Sequence, residues 1–327
     1  VTPLRLVFFG SDAIALPLLG QLAGEGSALA QIVAVFTQPD RPAGRGQKTE
    51  PNAIKRWAFA RNLPVFQPEK PDEAARAQLA ALKADIGLVM AYGHLLRDDI
   101  IATPRLGLLN LHTSLLPKYR GASPIQTAIA CGERETGVTL MRIIRKLDAG
   151  PIADAERVPI HARETAADLE TKLAMACWPL LARALPKLSG ETLVLTPQEE
   201  TQATYCRRLT KEDGGLDFGA SAAMLAARIN GLFPWPGCVV EISGQPIKLG
   251  RADFEAAFAP GGAGTVLGAD AESLRIATGE GILRLLRLQR PGGKMLPAPE
   301  FLRGFPVAPG TVPASRIMTD LQVTSNR

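Results

Sequence analysis

Apolar residues gather in short runs at 4–9 (LRLVFF), 29–36 (LAQIVAVF), 63–66, 85–91 and 107–113, which read as buried β-strands. Helical stretches at 13–23, 51–61, 72–83 and 123–131 separate them. Pro51 opens one helix where its missing N–H costs nothing. Alternation of this kind predicts a mostly parallel sheet covered on both faces by helices. A strand at 137–143 leads into the longest helix, 165–187, with Leu169, Leu173, Ala176 and Leu180 as its apolar stripe. Thr165 and Asp168 form a capping box at its start, and Pro179 is expected to kink or shorten it.

From 189 to 204 the pattern dissolves into a polar, Thr/Glu-rich connector, and beyond it the grammar changes. One helix at 221–232 is followed by short strands at 237–243, 245–252, 263–268, 273–277 and 281–288, separated by Gly and Pro. This is the pattern of a small barrel or sandwich. The expected organisation is a first domain over 1–188, a linker over 189–205, a second domain over 206–308 and an irregular tail over 309–327.

A chain of 327 residues, 46% hydrophobic and 21% charged, has ordinary globular composition and room for two cores. Its longest apolar runs fall far short of the roughly 20 residues of a membrane helix. The start, VTPLRLVFFG, reads as a first strand and not as a signal peptide. The four cysteines have no CxxC pairing, which fits a reduced, cytoplasmic compartment. No two of the three histidines have metal-ligand spacing, so no metal is expected. The net charge of +5 is a mild lean towards anionic partners.

Gly10 ends the first strand, but no G-x-G-x-x-G follows, and GRGQKT at 44–49 lacks the glycine a phosphate-binding loop needs before its lysine. The segment 37–50 (TQPDRPAGRGQKTE) is too long for a routine strand-to-helix turn and carries Arg41, Arg45 and Lys48. It reads either as a solvated surface loop or as an arm that reaches nucleic-acid phosphates. In GLLNLHTSLLPKYRG (107–121), Asn110 and His112 lie two apart on one strand face, at the C-terminal end where open α/β sheets bind ligands. The bland reading of His112 is a satisfied core group. The functional reading pairs an amide donor for an oxyanion with a group that moves protons near neutral pH. Asp148, in RKLDAGPI, taken alone is a turn residue.

Together FTQPDRPAGRG (36–46), AYG (91–93), NLHTSLLPKYRGASPIQ (110–126), LDAG (147–150), NGLFPWPG (230–237) and GQPIKL (244–249) resemble the folate-dependent formyltransferase family, over nearly the whole chain. The resemblance implies a Rossmann-like formyl-transfer domain followed by a smaller OB-like β-barrel domain. It implies transfer of a formyl group from 10-formyltetrahydrofolate to the amine of methionine on initiator tRNA, with those two molecules as the partners and no membrane or obligate protein partner. The formyl-transfer centre falls on Asn110, His112 and Asp148, and the folate-contacting turn on Ser114, Leu115, Leu116 and Pro117. Met90, Ala91, Tyr92 and Gly93 are expected to border the pterin slot. The inserted loop used on the tRNA acceptor arm falls on 37–50, with Arg45 as its main arginine. Thr113 and His94 depart from the family pattern beside these motifs.

In the second domain, 281–299 carries Arg284, Arg287, Arg290 and Lys294 with no Asp or Glu before Glu300. On a strand Arg284 and Arg290 share a face and Arg287 takes the other. The run reads as solvated basic edges or as tRNA backbone contact, and the resemblance favours contact for Arg284, Arg287 and Lys294. Rival readings are a sugar-nucleotide amine formyltransferase, a 10-formyltetrahydrofolate hydrolase and a catalytically silent tRNA-binding protein.

Overall fold

Leu6, Val7, Phe8 and Phe9 are at most 1% exposed. Their strand, Leu4–Phe9, accordingly takes an interior place in a seven-stranded sheet, the one environment that hides side chains on both faces. This computed structural model describes residues 2–43 and 48–323. The order across the sheet is Ile152–Pro159, Glu135–Arg142, Leu108–His112, Ile86–Val89, Leu4–Phe9, Ala30–Phe36 and Val65–Phe66. The five strands from Leu108–His112 to Val65–Phe66 run parallel, and Glu135–Arg142 pairs antiparallel with Leu108–His112. One face of the sheet is sealed by Val7, Phe9 and Phe36 packing with Ala75 and Leu79 of the helix Glu73–Ala81. Phe9 and Phe66 stack on either side of Phe36, with ring centroids 4.9 and 4.8 Å away.

The expected alternation is present, with two differences. The strand Ile152–Pro159 is an added edge whose residues are mostly half-buried or exposed, so it carries no apolar run to announce it. Pro179 does not end its helix, which runs Ala166–Ser189 with a second proline, Pro186, inside it. Leu180, Leu181, Ala184, Leu185 and Leu188 are all buried, and that packing offsets the roughly 3 kcal/mol a helical proline costs. The capping box forms as expected, with Thr165 N donating to Asp168 Oδ2 at 2.9 Å and Asp168 N to Thr165 Oγ1 at 3.4 Å.

The chain divides into two compact units. The first comprises 1–120, 137–158 and 171–203, and the second 121–136, 159–170 and 204–327. Of the expected linker 189–205, residues 189–203 fall in the first unit and 204–205 in the second, and 121–136 belongs to the second.

The second unit is built on an antiparallel sheet ordered Cys238–Ile242, Gln245–Glu255, Ile282–Gln289, Leu274–Ala277, Val266–Ala269, with Leu296–Pro297 also pairing Ile282–Gln289. The helix Ala222–Leu232 packs Leu225, Ile229 and Leu232 against Ile247, Leu249 and Leu285. At a register shift in the strand Gln245–Glu255, the buried Asn230 amide donates to Ala252 O at 2.9 Å and accepts from Ala252 N at 2.8 Å. These bonds satisfy backbone groups there. The segment 309–323 is tied down as well. Val266 N donates to Thr311 O, Arg316 N donates to Leu216 O, and Gln322–Val323 pairs with Tyr205–Cys206.

That tail meets a buried carboxylate. Asp213, 1% exposed, accepts from Arg207, from Thr319 Oγ1 at 2.6 Å and from Thr210 N at 2.6 Å. Burial raises its pKa, but the Arg207 guanidinium and the Thr319 and Thr210 donors override it and hold the carboxyl at about 2. A depressed carboxylate contributes stability that is complete above its unfolded value near 3.8 and is lost as pH falls towards about 2. Asp213→Asn should therefore cost about 2 kcal/mol at pH 7 and flatten the pH dependence of stability between those values. Denaturant titrations at pH 7 and pH 2.5 check this. A constant gap between variant and wild type at both pH values would contradict it.

Candidate active site

The C-terminal ends of the parallel strands bring the candidate residues to one edge of the first unit. Asn110 and His112 end the strand Leu108–His112. The Asn110 side chain is part-exposed and makes no hydrogen bond to any described residue, which leaves its amide N–H groups free to donate. His112 is 7% exposed and both its ring nitrogens are engaged. Nε2 lies 2.9 Å from the carbonyl oxygen of Tyr119. A carbonyl only accepts, so Nε2 carries the hydrogen. Nδ1 faces Asp148 Oδ2 at 3.7 Å.

Asp148 sits in the loop between the strands Glu135–Arg142 and Ile152–Pro159, with φ 49°. That left-handed conformation is one Asp adopts more readily than most side chains. Arg142 N donates to Pro151 O at 2.9 Å and closes the loop. At Gly150 a Cβ atom would lie 1.8 Å from Arg142 O, so only glycine fits there. The resemblance placed Asp148 beside His112, and the fold brings them together.

The turn at 114–117 is shaped from within. Ser114 is fully buried and its hydroxyl donates to Lys118 O at 2.6 Å. Thr139 Oγ1 donates to Ser114 O at 2.7 Å and accepts from Leu116 N at 3.1 Å. Ser114 thus supports the turn, Leu116 is buried at 8% exposure, and Leu115 and Pro117 are the members that reach the surface. On the neighbouring strand end, Met90 is buried with its N–H on Phe9 O at 2.9 Å, and Ala91 turns out at φ 48°. Gly93 follows at φ 80°. Tyr92 turns its ring inward. The ring is 2% exposed, edge-on to Phe9 at 5.5 Å, and its hydroxyl has no partner among the described residues. Burial pushes that hydroxyl to about 12. A ligand at this edge meets Tyr92 as backbone, because its ring fills the core.

Sequence reasoning missed a polar cluster at the same edge. Gln38 Nε2 donates to Tyr92 O at 3.1 Å, Ser11 Oγ donates to Tyr92 O at 3.3 Å, and Asn52 Nδ2 reaches Thr37 Oγ1 at 2.8 Å. At Gly10 a Cβ would stand 2.7 Å from Met90 O, which explains the glycine that ends the first strand. Ring packing of His94 on Tyr92, at 5.1 Å, continues this cluster. Burial, and then the charge of Arg41, lowers the His94 pKa. An open cleft of about 720 Å³ lies alongside, lined by Leu95, Leu96, Arg97, Asp98, Asp99 and Arg145. No motif announced it, because Arg145 joins its wall from far beyond the 95–99 segment in sequence. Among the described residues no group of three or more His, Cys, Asp or Glu could hold a metal ion.

The basic candidates separate by environment. Arg41, exposed, starts a short ribbon in which Arg41–Ala43 pairs with Lys48–Glu50. Its ion pair with Glu69, at 2.8 Å between two exposed side chains, binds it weakly. Arg45 and the Lys48 side chain lie outside the described residues. At the ribbon's root, Lys55 pairs with Asp40 at 2.6 Å. In the second unit Arg287 and Lys294 are exposed, while Arg290 lies over the Phe305 ring at 5.4 Å. Arg284 is a different case from its reading as a tRNA contact. It is ringed by Asp253, Glu255, Asp270 and Glu272 at 3.3–3.8 Å, so its charge is neutralised inside its own unit.

Comparisons with known proteins place the chain in a family. The formyl transferase family profile matches residues 4–185 and the formyl transferase C-terminal domain profile matches 208–306. A methionyl-tRNA formyltransferase of Ectopseudomonas mendocina is 42% identical over 295 residues, covering 90% of this chain and 92% of its own. One from Bordetella bronchiseptica is 42% identical over 313 residues, covering 92% and 99%. Among solved structures, an N-formyltransferase from Helicobacter canadensis in complex with folinic acid and dTDP-3-aminofucose superposes with a TM-score of 0.64. It is 20% identical and covers 86% of this chain and 99% of its own, a likeness of fold alone. With a matching profile over more than half its length and relatives of this identity over at least 90% of it, the chain belongs to the methionyl-tRNA formyltransferase family.

Proposed function

We propose that the protein transfers the formyl group of 10-formyltetrahydrofolate to the free α-amine of methionine esterified to initiator tRNA. The observation that carries this reading is the Asn110 amide, bonded to no described residue, beside the His112–Asp148 pair at the C-terminal edge of the sheet. Attack by a neutral amine on the formyl carbon gives a tetrahedral carbon bearing an oxyanion. Asn110 donates to that oxyanion and does so without any proton transfer. The attacking nitrogen must lose a proton and the leaving N10 must gain one. Asp148 and His112 Nδ1, 3.7 Å apart, form the pair that takes up and returns it. The donor's ring lies along the backbone edge of 90–93 and the 114–117 turn.

The acceptor is assigned as tRNA and not as a sugar nucleotide because the 42% identical relatives, matched along nine-tenths of the chain, are methionyl-tRNA formyltransferases. The basic segment 37–50 supports it. Arg45→Ala should leave 10-formyltetrahydrofolate binding unchanged, weaken use of charged tRNA and flatten its salt dependence by about one unit of slope. A salt titration of kcat/KM reads this, and identical slopes for variant and wild type would count against the segment's role. The reading as a whole is tested by an acceptor panel of charged initiator tRNA, a dTDP-amino sugar and water. Formyl-methionyl-tRNA as the main product supports it, and preferential formylation of the sugar amine overturns it. No helix among the described residues is long and apolar enough to cross a membrane. The same reading places the enzyme with the translation machinery, in the cytoplasm.

A further inference from the structure

His112 and Asp148 are held at their separation by a closed chain of contacts that the reaction does not itself use. Tyr119 O takes the His112 Nε2 hydrogen at 2.9 Å. The next residue, Arg120, has a wholly buried side chain, the largest among the fully buried ones. Its Nε and Nη2 donate to Gln198 Oε1 at 3.1 and 2.8 Å. Gln198 in turn spends both amide hydrogens on the loop that carries the aspartate, donating to Asp148 O at 2.8 Å and Gly150 O at 2.7 Å. The ring of contacts runs His112, Tyr119, Arg120, Gln198, Asp148 and back to His112. The outer edge of the Arg120 guanidinium is held by Glu200 at 3.1 Å, which also pairs with Lys146 from the same loop. Two residues before Gln198, Thr196 is bonded to Ile152 in both directions at 2.8 Å, so the segment cannot slide.

We infer that Gln198, oriented by the buried Arg120, is a positioning residue for formyl transfer. It fixes the backbone of Asp148 and hence the reach of that carboxylate to His112. The inference rests on the function proposed above. The physical case is that Asp148 sits in a left-handed turn whose two flanking carbonyls point at one side chain from a segment about fifty positions away. Without the amide, both carbonyls lose the donor that this segment supplies. A displacement of about 1 Å between reacting groups costs on the order of 10²-fold in rate. Gln198 is itself part-exposed, so replacing it removes little core.

The test uses the full chain with Gln198→Met, which keeps length and removes all polarity, and Gln198→Glu, which keeps the contact to Arg120 and removes the N–H donors. Both should lower kcat by about 10–100-fold, with KM for folate and for tRNA within about twofold of wild type. Gln198→Met also lowers melting, because the buried Arg120 Nε and Nη2 lose their acceptor, whereas Gln198→Glu keeps that contact and should melt close to wild type. Combined with Asp148→Asn, Gln198→Met should cause no further loss, because it acts through that residue. A wild-type kcat in either variant, or losses that multiply in the double variant, overturns the inference. An acceptor-independent readout separates it from the function. The ¹⁵N resonances of His112 in the substrate-free protein should shift in Gln198→Met, but not when Asp148→Asn is already present. Unmoved resonances overturn positioning, whereas a wild type that formylates no tRNA yet shows the shift overturns only the acceptor assignment.

Discussion

Asn110→Ala lowers kcat by about 10²–10³-fold while leaving the folded state and folate binding close to wild type. The size follows from removing one preorganised donor aimed at a developing oxyanion. The unchanged fold follows from the residue's place: it ends the strand Leu108–His112, its side chain is part-exposed, and its amide is bonded to no described residue. No buried partner is orphaned when it goes, so the usual cost of deleting a hydrogen-bonded amide is absent. Contrast Asn230, whose amide bonds Ala252 on both sides and whose removal would unsettle the second unit. Rapid-quench turnover measurements and a melting curve check both halves. An unchanged turnover in a folded variant removes Asn110 from the chemistry.

Asp148→Asn is expected to cost on the order of 10²–10⁴-fold in kcat with folate affinity nearly intact. Asn tolerates φ 49° as well as Asp does, and the Gln198 bonds reach the backbone of this residue and not its side chain. The substitution therefore removes the negative charge opposite His112 Nδ1 and keeps the loop. If the variant instead loses its fold, Asp148 is a turn residue and the His112 contact is incidental.

Much of this architecture was legible in the chain. The parallel strands are apolar runs too short to be helices, and burial on both faces explains why Leu4–Phe9 shows no alternation. The edge strand Ile152–Pro159 escaped because an edge with mixed exposure has no apolar signature. Asn110 and His112 could be paired from their spacing of two on a strand, but Asp148 needed the family resemblance, because nothing local distinguishes it from any Asp in a turn. Tyr119 and Gln198 act on backbone or through it across long stretches of chain, and neither leaves a motif. The surroundings of Arg284 were hidden from the sequence for a related reason. The carboxylates that neutralise Arg284 come from Asp253, Glu255, Asp270 and Glu272, which a reading of its own strand does not include.

The central claim is that this centre moves a formyl group to the amine of charged initiator tRNA. It is tested most directly in a single turnover with ¹³C-formyl donor, enzyme in excess and equal charged tRNA and dTDP-amino sugar present. The account predicts that the label lost from the donor appears mole for mole on the methionine amine, and that Asn110→Ala slows this step without redirecting it. Label recovered as formate, or on the sugar amine, would contradict it.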